Sequence, residues 1–146
     1  MADDKKKLNR YHLDQNAIDQ VELYEDATDA WADAVLERDI AKETLTTLKA
    51  DIDEEIRLDP KNHGWDSESK APTEAWISSQ IVKDDRIKEA TITHIKLTHK
   101  VNILSGKKET LEHRKKSLEI LTELYKGQYF VARSRTDELY KTAISD

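Results

Sequence analysis

Five histidines are the first residues to weigh for chemistry: His12, His63, His94, His99 and His113. No two of them are four residues apart, the spacing that sets two imidazoles on one helix face as a metal pair, and there is no His-Glu-x-x-His run. His94 falls within an apolar stripe and reads as a hydrogen-bonded core histidine. Cysteine is absent, which removes disulfides, zinc thiolates and thiol nucleophiles. Asp and Glu number 30, and Glu54-Glu55 and Asp84-Asp85 stand as adjacent pairs. Neighbouring carboxylates on a helix are solvated faces unless a pocket sets one as acid and the other as base. No Walker A sequence is present, so nucleotide hydrolysis is not expected. The reading is a non-enzymatic chain with no catalytic residues, metal or cofactor.

Binding chemistry is better represented. Sequence-independent recognition of single-stranded nucleic acid needs basic side chains along a groove and aromatic faces for base stacking. Lys107, Lys108, Arg114, Lys115 and Lys116 recur on the order of two helical turns apart. Arg133 and Arg135 follow Tyr125, Tyr129 and Phe130. Trp65 and Trp76 stand near Lys61 and Lys70, and Trp65, between Gly64 and Asp66, is the aromatic expected to be exposed.

The formal net charge of −6 hides an asymmetry. Residues 1–72 hold 10 basic and 19 acidic side chains; residues 73–146 hold 14 and 11. In the window 96–135, ten basic residues face four acidic ones. Such a segment suits an anionic partner, or an acidic half that shields it. The plainer alternative is a solvated helix face. An acidic first helix repels DNA unless it faces elsewhere or gates access.

The elements that carry these residues are helical. Three Gly and two Pro in 146 residues leave too few turns for a sandwich or barrel, and no glycine-rich loop suits a dinucleotide fold. After a charged, flexible N-terminus (1–12), a helix is expected over about 13–57. Its stripe begins Ala17, Val21, Tyr24, Thr28, Trp31, Val35 and shifts register to Ala41, Leu45, Leu48, Ile52, as at a stutter. Residues 58–72, with Pro60, Gly64 and Pro72, form a loop. Thr73 caps a long helix over about 73–126. Its stripe runs from Ile87 through Ala90, His94, Leu97, Val101, Leu104, Lys108, Leu111, Lys115 and Leu118, every step 3 or 4. Ser105-Gly106 is the expected bend, and Gly127 the expected C-terminal cap. A last helix is expected over about 129–144.

Two long helices joined by one loop fold back as an antiparallel hairpin. The fold class is therefore all-α: an elongated helical hairpin plus a shorter C-terminal helix, forming one domain over 13–146. Such a shape buries little surface. The remaining apolar side chains argue for a homo-oligomer, with Leu118, Leu121, Leu124, Tyr125, Tyr129, Phe130, Leu139 and Tyr140 as its interface. No apolar run approaches the length of a transmembrane helix, and Met1 to Arg10 is not a secretory signal.

The pattern resembles the UvsY-type recombination mediators of tailed bacteriophages. The resemblance rests on the first helix ending Glu55-Ile56-Arg57-Leu58-Asp59, the Gly-containing loop, and Thr73-Glu74-Ala75-Trp76-Ile77 followed by Ile81 and Asp84-Asp85. A long helix with the Leu118–Leu124 cluster and a basic-aromatic C-terminus complete it, over roughly Leu13 to Tyr140. It implies binding of single-stranded DNA by a ring of six or seven subunits joined through C-terminal helices. It also implies action beside a RecA-like recombinase and single-strand-binding protein in the cytoplasm of a bacterial host. Arg57 matches a basic DNA-contacting position of the family. The position two residues earlier, basic in the family pattern, is Glu55 here, which moves the charge at this end onto Lys49, Lys61 and Lys70. Avidity in a ring would replace affinity per subunit.

Two further readings stand beside it. A coiled-coil interaction or scaffold protein without DNA binding fits the acidic first helix. A WXG-type secreted hairpin does not fit, because its loop reads Trp-x-Gly and this one reads Gly64-Trp65.

Overall fold

The computed structural model describes residues 7–128. These hold three helices, α1 (Leu13–Leu58), α2 (Glu74–Lys83) and α3 (Asp85–Lys126), and no strand. The expected all-α class is present. The expected helix over 129–144 lies outside the described residues, as do Tyr129, Phe130, Arg133, Arg135, Leu139 and Tyr140.

The chain forms two compact units. One is 29–105; the other takes the chain up to Thr28 and from Gly106 onward. Helices α1 and α3 contribute a segment to each.

The 29–105 unit has an apolar core of isoleucines. Ile52, Ile56, Ile77 and Ile87 are buried, and Leu45, Leu48, Trp76 and Ile81 pack around them. The α1 register Ala41, Leu45, Leu48, Ile52 is the expected one, and Ile56 extends it by a turn. Between α1 and α2, the Pro60 carbonyl accepts from the backbone N–H of His63 and of Trp65, at 3.2 and 3.0 Å. Gly64 has φ +89°, the left-handed region open to glycine at low cost. Thr73 caps α2 as expected, its Oγ1 accepting from Trp76 N at 3.3 Å.

The single helix expected over 73–126 is broken at Asp84. This residue is extended (φ −62°, ψ 129°), and its N–H closes α2 on the carbonyls of Gln80 and Ile81. Its side chain then opens α3: Oδ1 accepts from Arg86 N at 2.8 Å, an N-cap bond. The two halves of Asp84-Asp85 thus do different work. Breaking the helix there lets Ile77 on α2 and Ile87 on α3 join one core with Ile52 and Ile56. At the other suspected weak point, helix α3 runs without interruption through Ser105 and Gly106. The helix ends on a left-handed residue, but this is Gln128 (φ 57°) and not Gly127.

The other unit is held differently. Asn16, Asp19, Gln20 and Arg114 are buried together with Leu118. The stripe expected at the start of α1 is displaced: Ala17 and Val21 are exposed, and Asn16 and Gln20 turn inward. On α3 the expected Lys115 is exposed and Arg114 takes the inward position. Both displacements have one cause. Arg114 Nη1 donates to Gln20 Oε1 at 2.6 Å and to the Asn16 carbonyl at 3.3 Å, while Gln20 Nε2 donates to the Leu111 carbonyl at 2.8 Å. A polar network of this kind can occupy a buried position because its donors and acceptors are matched. Ahead of α1, residues 9–12 form a turn, and Asn16 Nδ2 donates to the Asn9 carbonyl at 2.6 Å.

Candidate nucleic-acid interface

The basic residues singled out in the sequence fall in both units. Lys107, Lys108, Arg114, Lys115 and Lys116 are carried by α3 in the unit containing its C-terminal half. Lys107, Lys115 and Lys116 are exposed, and Lys108 is half-buried. Lys107 and Lys116 form no ion pair among the described residues. Lys115 Nζ lies 3.9 Å from Glu119 Oε1, one turn on. Glu109, Glu112 and Glu119 alternate with these lysines along the helix, a spacing that gives i,i+4 attraction and dilutes the positive field. Over its described residues this unit carries eight basic and nine acidic side chains.

Arg114 does not belong to that exposed set. It is 8% exposed, and its guanidinium is directed to Asn16 and Gln20 within its own unit. Its place on a DNA face, expected from its position among the lysines, is corrected: it is a packing and hydrogen-bonding residue. A one-residue shift of the inward stripe, from 115 to 114, exchanges the roles of Lys115 and Arg114.

Lys49, Arg57, Lys61 and Lys70 are carried by the 29–105 unit. Arg57 is engaged twice: Nε contacts Asp53 Oδ2 at 2.7 Å, and Nη2 contacts Glu74 Oε2 at 2.6 Å. Its hydrogen bond to Glu74, then that to Asp53, holds the guanidinium further above its ordinary range. The same bond from Arg57 holds the Glu74 carboxyl below the usual carboxylate range. Two carboxylates already match the Arg57 charge. Lys61 pairs with Glu68 at 3.1 Å. Lys49 and Lys70 are exposed and form no ion pair among the described residues.

The tryptophans depart from expectation. Trp65 is half-buried, with its ring edge-on to Trp76 at 5.0 Å and 61°, and its Nε1 donates to the Lys70 carbonyl at 2.8 Å. Trp65 is thus partly covered, where the sequence reading expected it exposed. Its contacts fasten the loop onto α2.

Sequence reasoning missed Arg86. Its Nη1 and Nη2 donate to Glu55 Oε1 and Oε2 at 3.1 and 2.7 Å, and its Nε and Nη2 reach Asp84 Oδ1 and Oδ2 at 3.1 and 3.0 Å. Hydrogen bonding to Arg86 holds both carboxyls below the usual range. The acid at position 55 is thus satisfied by Arg86. No sequence motif marks a pair separated by 31 residues.

Of the proposed interface residues, Leu118 is buried and Leu121 is half-buried, whereas Leu124 and Tyr125 are exposed. Leu118 therefore already packs within its own unit. Two exposed side chains of this set face solvent, and Ile120 beside them is 61% exposed.

In the 29–105 unit, a groove of about 510 Å³ between α1 and α3 has Glu37 as its one titratable lining group. The Glu37 carboxylate is held by Lys100 Nζ at 2.7 Å. Among the described residues no group of three or more His, Asp and Glu side chains is placed to hold a metal ion. Among those residues, too, no helix is long and apolar enough to cross a membrane. Comparison of this chain with protein-family models, with curated proteins and with solved structures finds no match.

Proposed function

We propose that the chain is a non-enzymatic recombination mediator of a tailed phage, acting in the cytoplasm of a bacterial host. It would bind single-stranded DNA as a homo-oligomer and help load a RecA-like recombinase in place of single-strand-binding protein. The observation that carries the reading is the outward projection of Lys107, Lys115 and Lys116 from α3, added to the sequence resemblance. Phosphate contacts from such residues need no base-specific geometry. The antiparallel hairpin belongs to this reading and is supported within the 29–105 unit by the pairs Arg86–Glu55 and Lys100–Glu37. A six- or seven-membered ring would supply the avidity that one near-neutral surface lacks.

A second reading is favoured by a specific observation. Leu36, Ile40, Ile92, Ile95 and Ile103 stand exposed on α1 and α3, as suits a helical scaffold that binds protein and not DNA.

Fluorescence anisotropy of a labelled single-stranded oligonucleotide, at low and moderate salt and with duplex of equal length as competitor, separates the two. Single-strand-preferring binding that weakens steeply with salt supports the mediator. Absence of binding at low salt sinks it and leaves the scaffold.

A further inference from the structure

The unit that takes the chain up to Thr28 and from Gly106 onward is packed largely by polar side chains. Among its described residues Asn16, Asp19, Gln20 and Arg114 are buried, and Leu118 is the one buried apolar side chain. Several bonds between its two helices end on groups that do not need them. Arg114 Nη1 donates to the Asn16 carbonyl at 3.3 Å, and Gln20 Nε2 donates to the Leu111 carbonyl at 2.8 Å. Both carbonyls lie inside continuous helices, where the residue four positions on already donates to them. Gln20 Oε1 accepts from Arg114 at 2.6 Å, and the Tyr24 hydroxyl lies 3.4 Å from Glu112 Oε1. Water satisfies each of these side chains once the helices part. Parting the core of the 29–105 unit instead exposes Ile52, Ile56, Ile77 and Ile87, to which water offers no bond.

Gly106 adds a separate observation. It stands at the boundary of this unit, inside the uninterrupted α3. It is exposed, and a Cβ built there would meet nothing within 4 Å. No close approach requires glycine at this position, and glycine holds a helix less well than any residue but proline.

We infer that this unit is an end of the molecule that opens on its own. The start of α1, up to Thr28, parts from α3 beyond Gly106, and Gly106 is where α3 yields, while the isoleucine core stays closed. Stretches of this length hold a helix weakly in water without tertiary support, so parting is followed by unwinding. The free energy of such a local opening is set by what the closed contact buries, and here that is chiefly polar. Opening uncovers Leu118 and the half-buried Leu111 and Leu121. The inference does not depend on DNA binding.

The test is amide hydrogen exchange of the full chain, read by NMR over a series of low urea concentrations with no nucleic acid present. The amides of Gln20 to Tyr24 and of Leu111 to Leu118 are expected to exchange through openings that urea leaves nearly unchanged. Those of Leu48, Ile52 and Ala90 are expected to exchange far more slowly, through an opening that urea promotes steeply. Asn16→Leu, Gln20→Leu and Arg114→Leu together remove donors and acceptors alike, and are expected to slow exchange at this end by on the order of tenfold. Gly106→Ala, which fits the open space around it, is expected to slow exchange over Leu111 to Leu118 by about fivefold. A wild type in which both sets of amides share one rate and one urea dependence would overturn the opening. So would end amides that exchange as fast as in the wild type in Gly106→Ala, which has no contact to disturb, or in the leucine variant with its helicity intact. Single-stranded DNA binding by a chain whose end does not open would leave the mediator reading standing without it.

Discussion

Arg86 on α3 grips Glu55 on α1 with both terminal nitrogens, at 3.1 and 2.7 Å, across 31 residues of chain. The same guanidinium reaches back to Asp84, the residue that ends α2 and begins α3. One side chain thus ties the end of the first helix to the junction of the other two. A fork-to-fork pair fixes orientation as well as distance. Arg57 does the matching work on the α2 side through Asp53 and Glu74.

These clamps make stability sensitive to acid. The Glu55, Glu74 and Asp84 carboxyls are all held below their ordinary range, chiefly by hydrogen bonds from Arg86 or Arg57. A carboxyl with a depressed folded-state pKa contributes its stability above the ordinary carboxylate range and loses it as pH falls through the folded-state value. The urea midpoint should therefore fall as pH drops below about 4.5, the ordinary glutamate value. Glu55→Gln should flatten that dependence. An unchanged slope in the variant would remove the Arg86–Glu55 pair as its source.

Asp84 carries a second, separable contribution as the N-cap of α3. Asp84→Ala should cost about 1 kcal/mol through loss of the cap. Asp84→Asn keeps an acceptor for Arg86 N and should recover part of it. Chemical denaturation of both variants checks the order, and an alanine variant as stable as wild type would refute the cap.

The isoleucine core sets the scale for the 29–105 unit. Ile77 is 1% exposed and touches the cluster formed with Ile52, Ile56 and Ile87. Ile77→Ala should destabilise by about 2–4 kcal/mol, the transfer and cavity cost of a buried Ile. Val82, on the same helix but 69% exposed, should tolerate alanine within about 0.5 kcal/mol. Equal effects at the two positions would contradict the packing.

Arg114 and its lysine neighbours should separate stability from binding. Arg114→Ala strips a partner from the buried Gln20 and Asn16 acceptors and should cost about 1–3 kcal/mol. Its effect on DNA affinity, measured where the variant is fully folded, should be small. Replacing Lys107, Lys115 and Lys116 by Glu should leave helicity intact and abolish binding. Replacing them singly by Ala should lower the salt slope by about 0.7 for each phosphate no longer neutralised. Loss of affinity in the Arg114 variant alone would reverse this assignment.

Much of the architecture was legible along the chain. Local periodicity, the scarcity of turn residues and the Pro60–Pro72 punctuation are enough to place α1, the loop and the start of α2. The Leu45, Leu48, Ile52 register was legible too, because it is apolar and borders an apolar core. The buried face at Asn16, Gln20 and Arg114 was not. Hydrophobic patterning looks for apolar residues, and that face is filled by a matched polar network whose members are over 90 residues apart. The same limit applies to Trp65, which its polar neighbours mark as exposed and Trp76 partly covers.

The sequence by itself determined that this chain is helical, where its long loop lies and where α2 begins, because propensity, capping and breaking act over a few residues; the break at Asp84 came with the packing of Ile77 and Ile87 into one core. The tertiary structure alone decided which basic side chains are left to meet a partner. Arg57 and Arg86 are matched by carboxylates from other elements, Arg114 is buried, and Lys107, Lys115 and Lys116 remain outside. A charge's availability depends on what folding brings within a few ångströms of it, and no run of neighbouring residues encodes that.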